Sequence, residues 1–214
     1  MTAGQSSPKP TRRQAGALAR RQAILDAALE VFAEQGFAAA KLDEIAARAG
    51  VAKGTIYLVC QDKEDLFKQV VLGMATPVLD QLAAANKSTA PARQDFARLM
   101  QFVRRELLGS RRRLIAQVML KEAGRFPALA EFHHREIVSR VLAVMSELMA
   151  RARRDGALRS TVYADCPQLV MAPIVFALAW DAMFAKIAPL DIDKLLEAHA
   201  EAIFGAADKK EESA

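Results

Sequence analysis

Residues 42–60, LDEIAARAGVAKGTIYLVC, are the stretch whose residue types and spacing specify a task. Ala46, Gly50 and Ile56 stand at relative positions 0, 4 and 10, the layout of a helix-turn-helix. A small side chain at 46 lets the second helix cross close to the first, and Gly50 can take the left-handed backbone that a three-residue turn demands. Ile45, Val51 and Ile56 bury the corner. The second helix of such a unit reads base edges from its N-terminal residues. Here those are Lys53, Gly54, Thr55 and Tyr57, beside an inward Ile56. Lys53 can donate to guanine O6 and N7, and the Thr55 methyl can meet a thymine methyl. Tyr57 and Lys63 suit phosphate, the contact that fixes register without reading sequence, and Gly54 admits close backbone approach.

A two-helix corner cannot close a core alone, so a further helix must pack behind it. Ile24, Leu25, Ala28, Leu29, Val31 and Phe32 form one wide apolar stripe at helical spacing, which predicts a helix over 12–35 with Gly36 as its C-terminal cap. Asp62 is an N-cap with Glu64 and Asp65 in the first turn, and the helix it starts runs to about Ala85. After a linker over 86–91, helices are expected over 93–108, from Ser110 to 124, and over 127–155. Two more follow, from the start signals Asp165 and Pro167 to 187, and from the cap Asp191 to Gly205. No region alternates with period two for long enough to be a strand. The fold class is therefore all-α, with about nine helices. The division expected is a disordered basic arm over 1–17, a three-helix reader over 18–65, a larger helical domain over 66–207, and a frayed tail over 208–214.

The 214 residues are 52% apolar and 26% charged, which excludes wholesale disorder. Lys and Arg number 30 against 25 acids, a formal charge of +5. Lys9, Arg12, Arg13, Arg20 and Arg21 fall in a segment without an acid, so this arm equals the whole excess and the rest is close to neutral. An arm of this kind suits DNA, with Arg12 and Arg13 as contacts, whereas a near-neutral body argues against a sequence-indifferent coat. Cys60 and Cys166 form no C-x-x-C and no disulfide framework; both are read as passive, Cys60 as a small corner-filler. No N-terminal apolar stretch marks a secretory signal. The longest apolar run, Leu169 to Trp180, has 12 residues and contains Pro173, too short for a membrane span, so a cytoplasmic protein is expected.

Enzyme chemistry lacks its parts: there is no G-x-S-x-G, no metal pair at helical spacing and no glycine-rich phosphate loop. The expectation is no enzyme, cofactor or metal; the alternative is a helical enzyme with a pocket in the C-terminal half. His133 and His134 point about 100° apart on a helix and cannot share a metal, and with His199 they are read as structural. The run Arg111–Arg113 is read as a solvated face.

Ile24 to Phe67 resembles the N-terminal domain of the TetR (tetracycline repressor) family. The resemblance rests on Gly36-Phe37, Ile45-Ala46, Ala49-Gly50-Val51, Gly54-Thr55, Tyr57 and Lys63-Glu64-Asp65-Leu66. It covers about a fifth of the chain; Glu122 to Phe132 is similar to one branch of the family. The resemblance implies a homodimeric transcriptional repressor that a small apolar molecule releases from a palindromic operator, the C-terminal domain binding ligand and partner. Lys53, Thr55 and Tyr57 would then face DNA, and Lys63 would hold phosphate from the start of the next helix. Lys41 stands where the family usually has a Ser or Thr that touches phosphate. Two further departures are Ala52, in place of the Ser that caps the recognition helix, and Val59-Cys60, in place of a His/Tyr-Phe pair. Met100, Met119, Phe126, Phe176 and Trp180 are the candidates to line an adaptable apolar pocket. The helix over 166–187 is apolar nearly all round, so with the helix over 191–205 it is the expected four-helix dimer interface.

Overall fold

The computed structural model describes residues 11–85 and 88–206, and every regular element among them is helical. The helices are α1 (Arg12–Ala39), α2 (Leu42–Arg48), α3 (Lys53–Ile56), α4 (Lys63–Ala85), α5 (Ala92–Val103), α6 (Arg112–Glu122), α7 (Pro127–His133), α8 (Ser139–Arg154), α9 (Val162–Asp165), α10 (Gln168–Phe184) and α11 (Ile192–Phe204). Arg104–Leu108 continues α5 as a π-helical turn, and a second such turn, His134–Val138, joins α7 to α8. The described residues thus hold ten continuous rods, one more than periodicity predicts, and the extra one is the short α9. None of them is long and apolar enough to cross a membrane. The chain divides into two compact units, one ending at Val70 and the other beginning at Val71.

In the first unit α1 starts at a capping box. Thr11 Oγ1 accepts from the Gln14 amide, and Gln14 Oε1 accepts from the Thr11 amide at 2.8 Å. Residues 1–10 lie outside the described residues, but 12–17 are helical, which corrects the expectation of a disordered arm there. The stripe predicted on α1 is buried, with Ile24, Ala28, Val31 and Phe32 at 0% exposure. Gly36 takes φ +79°, and a further turn returns Phe37 to the core. The rings of Phe32, Phe37 and Phe67 form a triangle with centroids 5.2–5.8 Å apart.

Helix α2 ends at a Schellman turn. Gly50 has φ +67°, its amide donates to the Ala47 carbonyl, and the Val51 amide reaches back to Ala46 at 3.0 Å. Within the 42–60 motif the second helix is short: α3 closes at Ile56, and the chain continues in turns through Val59. Asp62 caps α4 as expected, its Oδ1 accepting from the Asp65 amide at 2.8 Å.

The second unit packs Phe96, Leu99 and Met100 of α5 against Met145, Leu148 and Met149 of α8, with Val170 and Ile174 of α10 and Leu196 and Ile203 of α11 in the same core. Asp95, half-buried, pairs with Arg151, which also donates to the Ser88 carbonyl. Asp165 ends α9 and does not start α10, and α10 runs unbroken through the buried Pro173. Asp191 caps α11 by accepting from the Lys194 amide at 3.0 Å. Arg112 is not solvated as expected: its Nε donates to the Met74 carbonyl at 2.9 Å and its Nη1 meets Glu106 Oε2 at 3.1 Å. His133 and His199 are half-buried, each with one ring nitrogen sealed from solvent and without a partner. Burial holds the pKa of both below the ordinary 6.5.

Two outcomes follow from this packing. A Cβ at Gly50 meets nothing within 4 Å, so Gly50→Ala carries only the left-handed backbone cost. Urea unfolding of that variant is expected to show a loss of about 1–2 kcal/mol, and a smaller loss for Gly50→Asn. The half-buried histidines bind protons more readily when unfolded, so stability falls as pH drops through 6.5 and levels off below their folded values. Melting temperature against pH between 7.5 and 5 checks this, and His199→Asn is expected to flatten part of the slope.

Candidate nucleic-acid interface

The α2–turn–α3 corner is held by three buried residues. Ile56 is fully buried, as is Ile45, and Ala46 is 2% exposed. With Ile56 inward on a helix of four residues, the outward positions are Lys53, Gly54, Tyr57 and Leu58, while Thr55 is half-buried. Tyr57 is 53% exposed and Leu58 85% exposed. Neither Lys41 before α2 nor Ala52 before α3 makes a side-chain cap bond, so amides at both helix starts remain available to an acceptor such as phosphate. Lys41 is exposed, as are Arg12 and Arg13 in the first turn of α1.

The ammonium of Lys53 lies 2.7 Å from Asp43 Oδ2, and both side chains are 62% exposed. The hydrogen bond and charge of Asp43 push the Lys53 pKa up, so the group stays cationic. An ammonium has three donors, and Asp43 occupies one of them. The carboxylate thus fixes where Lys53 stands without removing its capacity to donate to a base. Sequence reasoning singled out neither Asp43 nor Leu58. The only signal for Asp43 is its separation of ten residues from Lys53 across a turn, which a linear pattern does not read.

Lys63 stands elsewhere than expected. Its ammonium donates to the carbonyls of Ala38 at 2.8 Å and Ala40 at 3.0 Å, and sits 4.8 Å from the centre of the Phe37 ring. These carbonyls are left over at the end of α1, so Lys63 caps that end and ties it to the start of α4. Cys60 is 3% exposed, with its thiol on the Ile56 carbonyl at 3.5 Å. Burial first, then Asp65 and Asp62, push that thiol up to about 11, which keeps it protonated.

In the second unit a cavity of about 600 Å³ lies among α4, α5 and α8. Leu82, Leu99, Phe102 and Leu148 give it an apolar wall, with Arg98, Arg105, Arg151 and Asp95 around them. The five residues expected to line a pocket are not among its lining. Met100 and Met119 are buried at 4% and 5% exposure, and Phe126 is half-buried with the Arg125 guanidinium 5.9 Å from its ring. Phe176 and Trp180 stack on each other along α10 at 5.4 Å. Apolar type marks these residues for the interior, but the face each takes is set by packing.

Residues 24–70 match the sequence model of the family described as bacterial regulatory proteins, tetR family. The chain is 50% identical over 50 residues to the HTH-type transcriptional regulator AcrR of Shigella flexneri, which is 23% of each chain. It is 36% identical over 74 residues to the fatty acid metabolism regulator protein of Bacillus subtilis, 35% of this chain and 38% of that one. The match thus spans less than two thirds of either relative. Over the longer span, the crystal structure of the transcriptional regulator FadR from Bacillus subtilis in complex with stearoyl-CoA shares the fold. It has a TM-score of 0.72 and 22% identity, over 87% of this chain and 99% of that one.

The inward Lys63 yields a test. Lys63→Met leaves two carbonyls short of their donor, and urea unfolding is expected to show a loss of about 1 kcal/mol without any DNA present. A lysine that served phosphate alone would leave unfolding unchanged.

Proposed function

We propose that this chain, whose N-terminal domain belongs to the tetR family of bacterial regulatory proteins, is a ligand-responsive, sequence-specific transcriptional regulator. In this reading it is a homodimeric repressor that a small, largely apolar molecule releases from a palindromic operator. The observation that carries it is the exposed face of α3, set on a corner whose every buried position matches the demands of a helix-turn-helix. Lys53 donates to guanine from the position Asp43 gives it, and Thr55 meets a thymine methyl. Tyr57, Lys41, Arg12 and Arg13 hold phosphate, and Gly54 admits the backbone. Lys63 acts one step back, by fixing the end of α1 behind the reader.

The dimer rests on α10. One side of it is in the core, through Val170, Ile174 and Leu178, while Leu169, Val175, Phe176 and Met183 on other faces are 40–61% exposed. An apolar face of this size suits a second copy, giving a bundle with α11 of both chains. Two recognition helices about 34–36 Å apart would then meet successive major grooves. The stearoyl-CoA held by the Bacillus subtilis neighbour supports an effector with a substantial apolar part. By linkage such an effector binds the free protein more tightly than the DNA-bound protein.

Selection of binding sites from random DNA tests this reading. A palindromic site is expected, with an affinity that falls steeply with salt. Lys53→Ala is expected to lose about 1–3 kcal/mol of discrimination at one base pair, and Tyr57→Phe to weaken all sites by a similar factor. No preference over random DNA would falsify the proposal.

A further inference from the structure

We infer that the cavity among α4, α5 and α8 takes an amphipathic anion, an apolar body carrying one acidic head, in preference to a neutral or cationic molecule of the same shape. The inference deepens the ligand-responsive reading and rests on it for its consequence at DNA, though not for the binding itself.

The wall follows from helical spacing. On α5 and its π-helical turn, Asp95, Arg98, Leu99, Phe102 and Arg105 recur every three or four residues and so share one side. On α8, Val144, Leu148 and Arg151 do the same. Between them they place an apolar floor beside three guanidinium groups, in a volume of about 600 Å³ that falls in the range of small-molecule sites.

The charges do not cancel. Asp95 is the one acid of the lining, and its carboxylate already holds Arg151 and lies 3.3 Å from Arg98. Arg105 stands 2.8 Å from Glu106, outside the lining, and Glu106 also meets Arg112 at 3.1 Å. With Glu106 and Arg112 counted, four arginines face two carboxylates, so an excess of two positive charges stays beside the apolar floor. Arg98 and Arg105 keep side-chain exposures of 65% and 70%, so both can turn toward an incoming head group. A second observation is independent of this count. Arg151 lines the cavity and holds both Asp95 and the Ser88 carbonyl, so the one acid of the lining is already engaged at the inner end. Arg98 and Arg105 at the outer end are therefore the donors left to meet a head group, and charge-assisted bonds from guanidinium favour an acidic one over a neutral or cationic one. A cation would meet like charge in a site partly closed to water.

Titration calorimetry on the full chain tests this with three probes below their micellar concentrations: dodecanoate, dodecanol and dodecyltrimethylammonium. Dodecanoate is expected to bind saturably and at least tenfold more tightly than either of the others. The double charge reversal Arg98→Glu/Arg105→Glu is expected to abolish that preference with an unchanged melting temperature, and the double lysine variant to retain it. Equal binding of all three probes, absence of saturable dodecanoate binding, or a preference indifferent to charge reversal would overturn the inference. A DNA-binding assay run with the same probes separates the two readings. Saturable, charge-dependent dodecanoate binding that leaves the DNA complex intact keeps the site and sinks the ligand-responsive reading. Release of DNA by dodecanol as readily as by dodecanoate keeps that reading and sinks this one.

Discussion

Three phenylalanine rings carry the helix-turn-helix corner. Phe32 and Phe37 come from the two sides of the turn at Gly36, and Phe67 comes from the first turns of α4. Each edge-to-face contact contributes about 0.5–1.5 kcal/mol beyond the area it buries. Their larger effect is geometric, because the triangle fixes the end of α1 against the start of α4. The segment between those two points, 40–62, is the whole of α2, the Schellman turn and α3. A reader of seven plus four helical residues has too little surface to hold itself, so it borrows rigidity from the frame that the rings close. Lys63 belongs to the same frame, since its ammonium sits over Phe37 while it caps the carbonyls beside that ring.

The outer face of the corner is governed by a different balance. Lys53 and Asp43 are both well exposed, so their pair adds little to stability. Its value lies in orientation, since a lysine stem has several rotors and the carboxylate selects one placement before DNA arrives. In the proposed function the cost is a negative charge on the face that meets DNA. That charge makes Asp43 a filter in the proposed function: it weakens contact with DNA in general while leaving the two remaining Lys53 donors aimed at base edges.

Much of this was legible in the sequence wherever the deciding chemistry is local. Gly36 and Gly50 do take positive φ, and Asp62 and Asp191 do cap the helices they precede, because a cap depends on residues within three or four positions. The apolar stripe of α1 was legible for the same reason. Lys63 was not, because its acceptors lie 23 and 25 residues upstream and come near only when the phenylalanine triangle closes. The cavity was missed on similar grounds. Met100 and Leu99 are neighbours of equal apolar character on α5 and both join the core, yet only Leu99 also lines the cavity, a difference of one helical step that only packing assigns. The residues that distinguish the cavity are charged, Arg98 and Arg105 above all, and a search for apolar linings passes over them.

Helix α10 shows where a single chain's physics stops being sufficient. Its sequence, QLVMAPIVFALAWDAMF, is apolar around the whole circumference, whereas one core can bury only one side of a helix. The chain resolves half of this by placing Val170, Ile174, Ala177 and Leu178 inward. Phe176, Trp180 and Phe184 resolve a little more by stacking along the helix at 5.4 and 4.9 Å, which hides part of each ring. Val175 and Met183 remain 44% and 61% exposed after that, and each such group gains by leaving water. In the proposed dimer that gain is realised only on association, so the stability of this unit depends on protein concentration as well as on its own core.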